Sequence, residues 1–480
     1  MGVVSFLIPE SLTPAARECL SGACLAGGYD LAPIPTQYKI QGNQFTLTKD
    51  SHDSGYLMMP WPLHANEVSI CTSSTLRERA EPYYLLIELA RGKLNQIRSQ
   101  TAEWEAIGLG LELDDLRELL EVTKRFGQAV LDVTNPQSSV IAEEVLVRTH
   151  ALTERISATF AEQLLQTRLA DAGPLETRLG CRLTSLPLPA TQAQFGAIFT
   201  SVKLVPNWRL IESTESQYDW AAFDTLVDWA IQCGLDVTIG PVIDLANGVF
   251  PTWIQQWVGD PPSLAAFMCD YIETLVRRYQ NRVRSWQICG GFNYIDCFGL
   301  TEDDRIRLAA RLLEAARHTD PDISFILSIA QPWGDYLKSE DYTYTPLVFA
   351  DTLIRAGFSF TAVELEILTG ADRRASPSRD SIAIYRLMEL FGLLTIPLEL
   401  NFGANIQSVA SQSVDGQGAL RSAIESQILL AAALPQVRAV FWEGWSEADS
   451  RIQGANLSGG TSVRQSLRTH LHNLRVRYLA

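Results

Sequence analysis

The sequence is short of histidine, of long apolar runs and of positive charge. Only 6 histidines occur in 480 residues, and none stands where a candidate strand ends: His318, His470 and His472 fall in segments of helical pattern. Ser-His triads and His-built metal centres therefore lack their base or their ligands. The longest apolar stretch of the second half, Ile428 to Leu434, is far below the roughly 20 residues a membrane-spanning helix needs. Met1 to Leu12 has no basic n-region, carries Glu10 inside the apolar segment and lacks an A-x-A site. Position 6, where myristoylation after Gly2 would need Ser or Thr, is Phe6. No leader or lipid is expected, and the expected location is cytoplasmic. With 39 Lys and Arg against 55 Asp and Glu, the net charge of -16 repels phosphate backbones and anionic lipid, so neither nucleic acid nor a membrane is an expected partner. The 8 cysteines (19, 24, 71, 181, 233, 269, 289, 297) are scattered without a C-x-x-C, which argues against a zinc site or a disulfide scaffold; no metal or cofactor is expected.

What is present is apolar surface: 46% hydrophobic residues and 11 tryptophans describe a folded globular chain. Composition divides it into three. Residues 1–80 are rich in Gly, Pro, Ser and Thr with short alternating runs such as Gln37 to Ile40 and Gln44 to Leu47, the pattern of a small antiparallel β unit. Residues 81–172 read as a helical connector: one helix after Glu81-Pro82 to about Ile107, a second from about Asp114 to Leu131, stopped at Asn135-Pro136, and a third from Ile141 to Ala172 with Val145, Leu152, Ile156, Phe160 and Leu164 on one face. This region packs on its neighbour or, as a second reading, supports a homo-oligomer through an apolar stripe.

Residues 173–480 alternate short apolar runs with helical segments. Candidate strands are Cys181 to Leu188, Gly196 to Leu204, Asp236 to Ile243, Ser285 to Cys289, Ile323 to Ile329, Thr361 to Ile367, Ile396 to Leu400 and Ala439 to Trp445. Eight strands with helices between or after them predict an α/β fold, a (β/α)8 TIM barrel. A doubly wound sheet is the alternative, but no Gly-rich phosphate fingerprint follows any strand. Carboxylates gather at the predicted carboxyl ends: Asp244, Glu364 and Glu366 (two apart, hence on one face), Glu399 and Glu443, with Trp333 in the loop after the fifth strand and Trp445 beyond the eighth. Acids with indole faces suit a sugar, the acids acting at the glycosidic bond and the indoles stacking on the rings.

The order of motifs resembles glycoside hydrolase family 10, the xylanase family of retaining barrels, over roughly Phe195 to Ser450. Asn207-Trp208-Arg209-Leu210-Ile211-Glu212, Gln217-Tyr218-Asp219-Trp220, Gly240-Pro241-Val242-Ile243 with Phe250-Pro251-Thr252-Trp253, and Leu398-Glu399-Leu400-Asn401 carry the resemblance. It implies Glu399 as nucleophile and Asn207 and Trp208 among the substrate contacts. The chain departs where the family keeps its proton donor: after Trp286-Gln287-Ile288-Cys289 the family's Asn-Glu is Gly290-Gly291. Pro241, Lys203 and Leu204 stand where the family has His, Glu and Asn, and Glu366 and Glu443 where it has Gln and Trp.

Two readings of function follow. One is a divergent glycosidase in which Glu366 or Glu443 replaces the missing acid/base. The other is an inactive barrel that binds carbohydrate or a protein. Several residues also have plainer readings. Glu399 could pair with an arginine beneath the barrel rim, Glu364 and Glu366 could be buried acids needing cationic partners, and Gly290-Gly291 could mark a close approach of backbone. Trp442 and Trp445 cannot share a strand face, so at least one is core. Tyr38, Tyr56 and Trp61 are candidate sugar contacts of the first unit, which could equally be a lid or cap.

Overall fold

The computed structural model describes residues 2–64, 67–246, 249–294, 297–338, 342–370, 372, 374–406, 414–459 and 462–479. The chain opens with β1 (Gly2–Leu7), α1 (Pro14–Cys19), β2 (Cys24–Gly27), β3 (Ala32–Ile34), β4 (Gln37–Gln41), β5 (Gln44–Lys49), β6 (Tyr56–His64), β7 (Glu67–Thr72) and β8 (Tyr83–Tyr84). They form two four-stranded sheets, β4-β5-β1-β8 and β3-β2-β6-β7. Pairing is antiparallel except between β1 and β8. Alternation puts Val4, Phe6, Phe45, Leu47, Leu57, Met59 and Trp61 into one core, the expected outcome of period-two patterning. Trp61 is fully buried there, so the expectation that it contacts sugar is corrected: its ring fills the core of the unit.

Three helices follow, α2 (Leu85–Ala106), α3 (Leu113–Leu131) and α4 (Pro136–Ala172). α3 already ends at Leu131, ahead of Asn135-Pro136, and that pair instead begins α4, five residues before the expected Ile141. Asn135 caps α4 by accepting from the Gln137 N–H (2.9 Å), and Pro136 occupies the first turn, where its missing N–H costs nothing. Val145, Leu152, Ile156 and Phe160 are buried, as the spacing predicts, and Leu164 is partly buried against the same core.

The remainder runs β9 (Arg178–Leu183), α5 (Pro189–Ile198), β10 (Ser201–Leu204), α6 (Trp208–Ile211), α7 (Ala221–Gln232), β11 (Asp236–Ile239), β12 (Ile243–Asp244), α8 (Pro261–Tyr279), β13 (Ser285–Trp286), β14 (Cys289–Gly290), α9 (Glu302–Thr319), β15 (Ser324–Ile329), α10 (Pro346–Arg355), β16 (Phe360–Thr369), α11 (Ser381–Gly392), β17 (Leu398–Ala404), α12 (Val414–Ala433), β18 (Val437–Trp442) and α13 (Ser462–Tyr478). Strands β9, β10, β11, β13, β15, β16, β17 and β18 close into a parallel barrel in that order, β18 returning to β9. The short pair β12-β14 continues two staves toward the carboxyl end. Two segments differ most from the sequence reading: the first strand, expected over Cys181 to Leu188, is Arg178–Leu183, and the second starts later than expected. Gly196 to Ile198 is the end of a helix that Pro189 starts, and the strand begins only at Ser201. Neighbouring parallel strands need a crossover between them, and α5 supplies the one between β9 and β10.

The helical segment is fastened to the barrel wall. Trp104 of α2 stacks on Phe160 of α4 (centroids 4.3 Å apart) and meets the Tyr385 ring of α11 edge-on (5.2 Å). Arg168 of α4 donates to the Ala433 carbonyl at the end of α12 (2.7 Å). At the start of α11, Asp380 caps the helix by accepting from the Ala383 N–H and pairs with Lys93 of α2 (2.8 Å). Glu154 of α4 accepts from the Ser381 N–H and hydroxyl. Among the described residues, no helix is long and apolar enough to cross a membrane.

Candidate functional site

Parallel register sets which side chains meet inside the barrel. Glu364 of β16 lies opposite Glu399 of β17, Glu399 opposite Ala439 of β18, and Ala439 opposite Arg178 of β9. Two residues farther along, Glu366, Asn401 and Phe441 form the next level. Glu364 contacts Lys203 of β10 and accepts from Gln287 Nε2 (2.9 Å). Since β10 and β16 are not neighbours, this contact crosses the barrel interior. The Phe441 ring lies under Lys203 Nζ (4.4 Å) and fits because residue 180 is glycine: a Cβ there would stand 2.3 Å from the ring. Burial pushes the Lys203 ammonium down to about 7, even though Glu399 and other acids favour its charge.

Glu399 is placed at the amino end. It is the second residue of β17, fully buried, and pairs with Arg438 near the start of β18 (Nη2 2.7 Å, Nε 2.9 Å) and with Arg178, the first residue of β9 (3.3 Å). Arg178 also pairs with Asp236, the first residue of β11. The residue expected as nucleophile at the mouth thus joins two arginines that close the barrel floor. Chemistry on this fold takes place at the opposite face.

At the carboxyl end the acids are also engaged by arginine. Arg374, from the loop after β16, donates to Glu366 (Nε 2.6 Å, Nη2 2.5 Å) and to both oxygens of Asp244 (2.7 and 2.8 Å). Arg451, from the loop after β18, donates to Glu443 (Nε 2.6 Å, Nη2 2.7 Å) and to Glu366 (3.1 Å). Ser328 donates to Glu366 and Asn401 to Glu443. Arg182 of β9 lies 3.8 Å from Glu443 and donates to the Asp449 carbonyl. Glu366, Glu443 and Asp244 keep 1%, 0% and 8% of their surface exposed. Burial alone would raise the Glu366 and Glu443 carboxyls, but Arg374 and Arg451 outweigh it at Glu366, holding it well below the ordinary range, and Arg451 and Arg182 bring Glu443 down to about 2. Both are ionised acceptors, without a proton to donate at neutral pH.

Gly290-Gly291 is a close approach. A Cβ at 290 would lie 2.7 Å from Pro241 Cβ and 3.1 Å from Asp244 Cγ; one at 291 would lie 2.8 Å from Ala246 Cβ, on a backbone with φ +70°. A side chain at either position would displace its neighbours.

The other expected contacts lie apart from the mouth acids. Asn207 caps α6 by accepting from the Leu210 N–H. Trp208 is buried, stacked on Tyr271 (4.5 Å), with its N–H donated to Glu212 (2.7 Å). Trp445 is buried edge-on to Phe195 (5.4 Å) and donates to Thr191 Oγ1. Trp442, also buried, donates to the Ala455 carbonyl. The Trp208 and Trp445 rings fill the outer barrel layer, so Trp208→Ala is expected to cost ~3–5 kcal/mol of unfolding free energy in a urea titration. Trp333 alone of the three indoles in the expected site is partly open, with the Arg379 guanidinium 4.4 Å from its ring centre. The sequence reading did not single out Arg182, Arg374 or Arg451. Its one pointer to them was that buried acids need cationic partners. Among the described residues, no group of three or more His, Cys, Asp or Glu is arranged to hold a metal ion.

Residues 190–290 match the model of glycosyl hydrolase family 10. Over those residues the barrel is similar to that family. Endo-1,4-beta-xylanase 3 of Hypocrea jecorina is 21% identical over 154 residues, which are 32% of this chain. The chain spans 43% of the length of that curated relative. Among solved structures, xylanase 10B from Thermotoga maritima is 14% identical with a TM-score of 0.47, covering 65% of this chain and 97% of its own. Xylanase XynB from Paenibacillus barcinonensis is 13% identical with a TM-score of 0.45, covering 61% and 91%. The family match of this barrel ends at Gly290, before Glu366, Glu399 and Glu443.

Proposed function

We propose that this family-10-like barrel binds carbohydrate without cleaving it. The observation that carries the reading is the pair of guanidinium groups at the mouth. Arg451 stands between Glu366 and Glu443, where a glycosidase holds a sugar or a water between its two carboxyls. A glycosidic oxygen needs a proton as its bond breaks, and a general acid contributes typically 10²- to 10⁴-fold. Here Glu366 and Glu443 are ionised and sealed, the position after Gly290 has no room for an acid, and Glu399 serves the floor.

The test is turnover of a panel of aryl β- and α-glycosides by wild type and by folded Glu366→Gln, Glu399→Gln and Glu443→Gln variants. The expected result is release of the aryl group at the buffer rate by all four proteins. Wild-type turnover that one of these substitutions abolishes would overturn the reading and identify the catalytic carboxylate.

A further inference from the structure

A cavity of about 690 Å³ lies away from the barrel axis, between the sheet β3-β2-β6-β7, helix α2 and helix α11, with Trp333 from the loop after β15 at its edge. Its size is within the ~300–1,000 Å³ typical of ligand sites, which favour junctions between structural units. One wall is apolar, formed by Met58 and Ile70 on the sheet and by Leu387 and Leu390 on α11. The lining also carries short hydroxyls and carboxamides: Ser73, Ser74, Ser99, Asn95 and Gln96. Asn95 donates to Ser74 (2.9 Å), Gln96 to Thr72 (2.9 Å) and Ser73 to the Ser74 carbonyl (2.7 Å), leaving the Asn95 side-chain oxygen and the Ser99 hydroxyl to meet a ligand. We propose that this cleft is the binding site of the protein and that its ligand is a neutral polyhydroxylated molecule, a short oligosaccharide.

The charges around the cleft select against an anion. Each cation that lines it is already engaged: Lys93 with Asp380 (2.8 Å), Arg379 with Asp335 (2.7 Å), and Arg386 with the Gln100 side-chain oxygen (3.2 Å). Asp30, Glu103 and Glu389 add negative charge to the lining. Arg386 alone of these cations is held by a neutral oxygen rather than a carboxylate, and a phosphate or carboxylate approaching it would face Asp30, Glu103 and Glu389. A sugar presents what the walls complement, an apolar ring face toward Trp333 and the leucines and hydroxyls toward the serines and carboxamides. The choice of carbohydrate rests on the function proposed above; the place of the site and the exclusion of anions rest on the cleft itself.

The experiment is isothermal titration calorimetry of the full chain with xylotriose, cellotriose and maltotriose, and with glucose 6-phosphate as the anionic probe. At least one neutral trisaccharide is expected to bind and glucose 6-phosphate to bind at least tenfold more weakly. Trp333→Ala is expected to weaken the neutral sugar at least tenfold. Ser99→Trp, at an exposed position of α2, fills the cleft without touching the core and is expected to abolish binding. Unchanged sugar binding in Ser99→Trp would overturn the cleft while leaving a sugar-binding protein. No binding of any neutral trisaccharide at 10 mM would overturn both proposals, and equal binding of glucose 6-phosphate would overturn the ligand class.

Discussion

Arg451→Met is expected to lower the unfolding free energy by ~3–5 kcal/mol, because it leaves Glu443 and Glu366 buried with only part of their compensation. Arg451 supplies Glu443 with two side-chain hydrogen bonds and Glu366 with one. Methionine fills similar volume but removes those three hydrogen bonds, leaving Glu443 with the Asn401 donor and the backbone N–H of residue 451, and Glu366 with Ser328 and Arg374. Urea titration at pH 7 measures the loss. Arg117→Met, whose pair with Asp114 is 74% and 88% exposed, is the control, expected to stay within ~0.5 kcal/mol. Lowering the pH adds a second signature. Glu443 has a folded value near 2, below that of a free glutamate, so its contribution is complete above about pH 4.5 and is lost as the pH falls toward 2. Wild type is therefore expected to lose stability over that window, and Arg451→Met to lose less of it. An Arg451→Met protein as stable as wild type at pH 7 would mean that the mouth network contributes nothing to folding.

Glu154→Gln is expected to act in the opposite direction and in a different pH window. Glu154 lies against the start of α11, where burial and the neighbouring charge of Asp380 push its carboxyl up to about 7, against the opposing effect of the Ser381 donors and Lys93. With a folded value above the unfolded one, the native state holds the extra proton between about pH 4.5 and 7. Stability from this group is thus present at low pH, falls as the pH rises through that interval, and remains at a fixed deficit above it. Glutamine carries no charge, so the variant is expected to match wild type near pH 4.5 and to exceed it above pH 7. The full shift corresponds to up to ~3 kcal/mol; the partly solvent-open edge of the side chain reduces the expected gain to ~1–2 kcal/mol. Melting temperatures of both proteins from pH 4.5 to 8 check this. Parallel curves would show that Glu154 is ionised throughout.

The barrel was legible because its strands are short apolar runs set between helices whose caps are written in sequence, such as Asp380 before α11. The second strand was the largest departure. Phe195 to Phe199 is apolar enough to pass for strand, and only the need for a crossover between parallel neighbours shows that Pro189 opens a helix there. The carboxylates were legible as a set, and Glu364 and Glu366 do face the interior together. Their height along the barrel was not, since it depends on where each strand begins: β17 starts at Leu398, one residue before Glu399, and that places the acid on the floor. Arg374 and Arg451 sit in irregular loops, where no period marks an inward side chain, so the groups that decide the character of the mouth left no pattern to read.

The position of α4 in the chain also matters during synthesis. Its barrel-facing side, including Ile156, Phe160 and Leu165, is buried in the finished protein, and Arg168 meets the end of α12 across 265 residues of sequence. A ribosome adding ~5–20 residues per second needs on the order of ten to fifty seconds to make that intervening chain. For that interval the nascent helix offers an uncovered apolar side, which makes residues 152–165 the stretch of the growing polypeptide where a chaperone is expected to hold on longest.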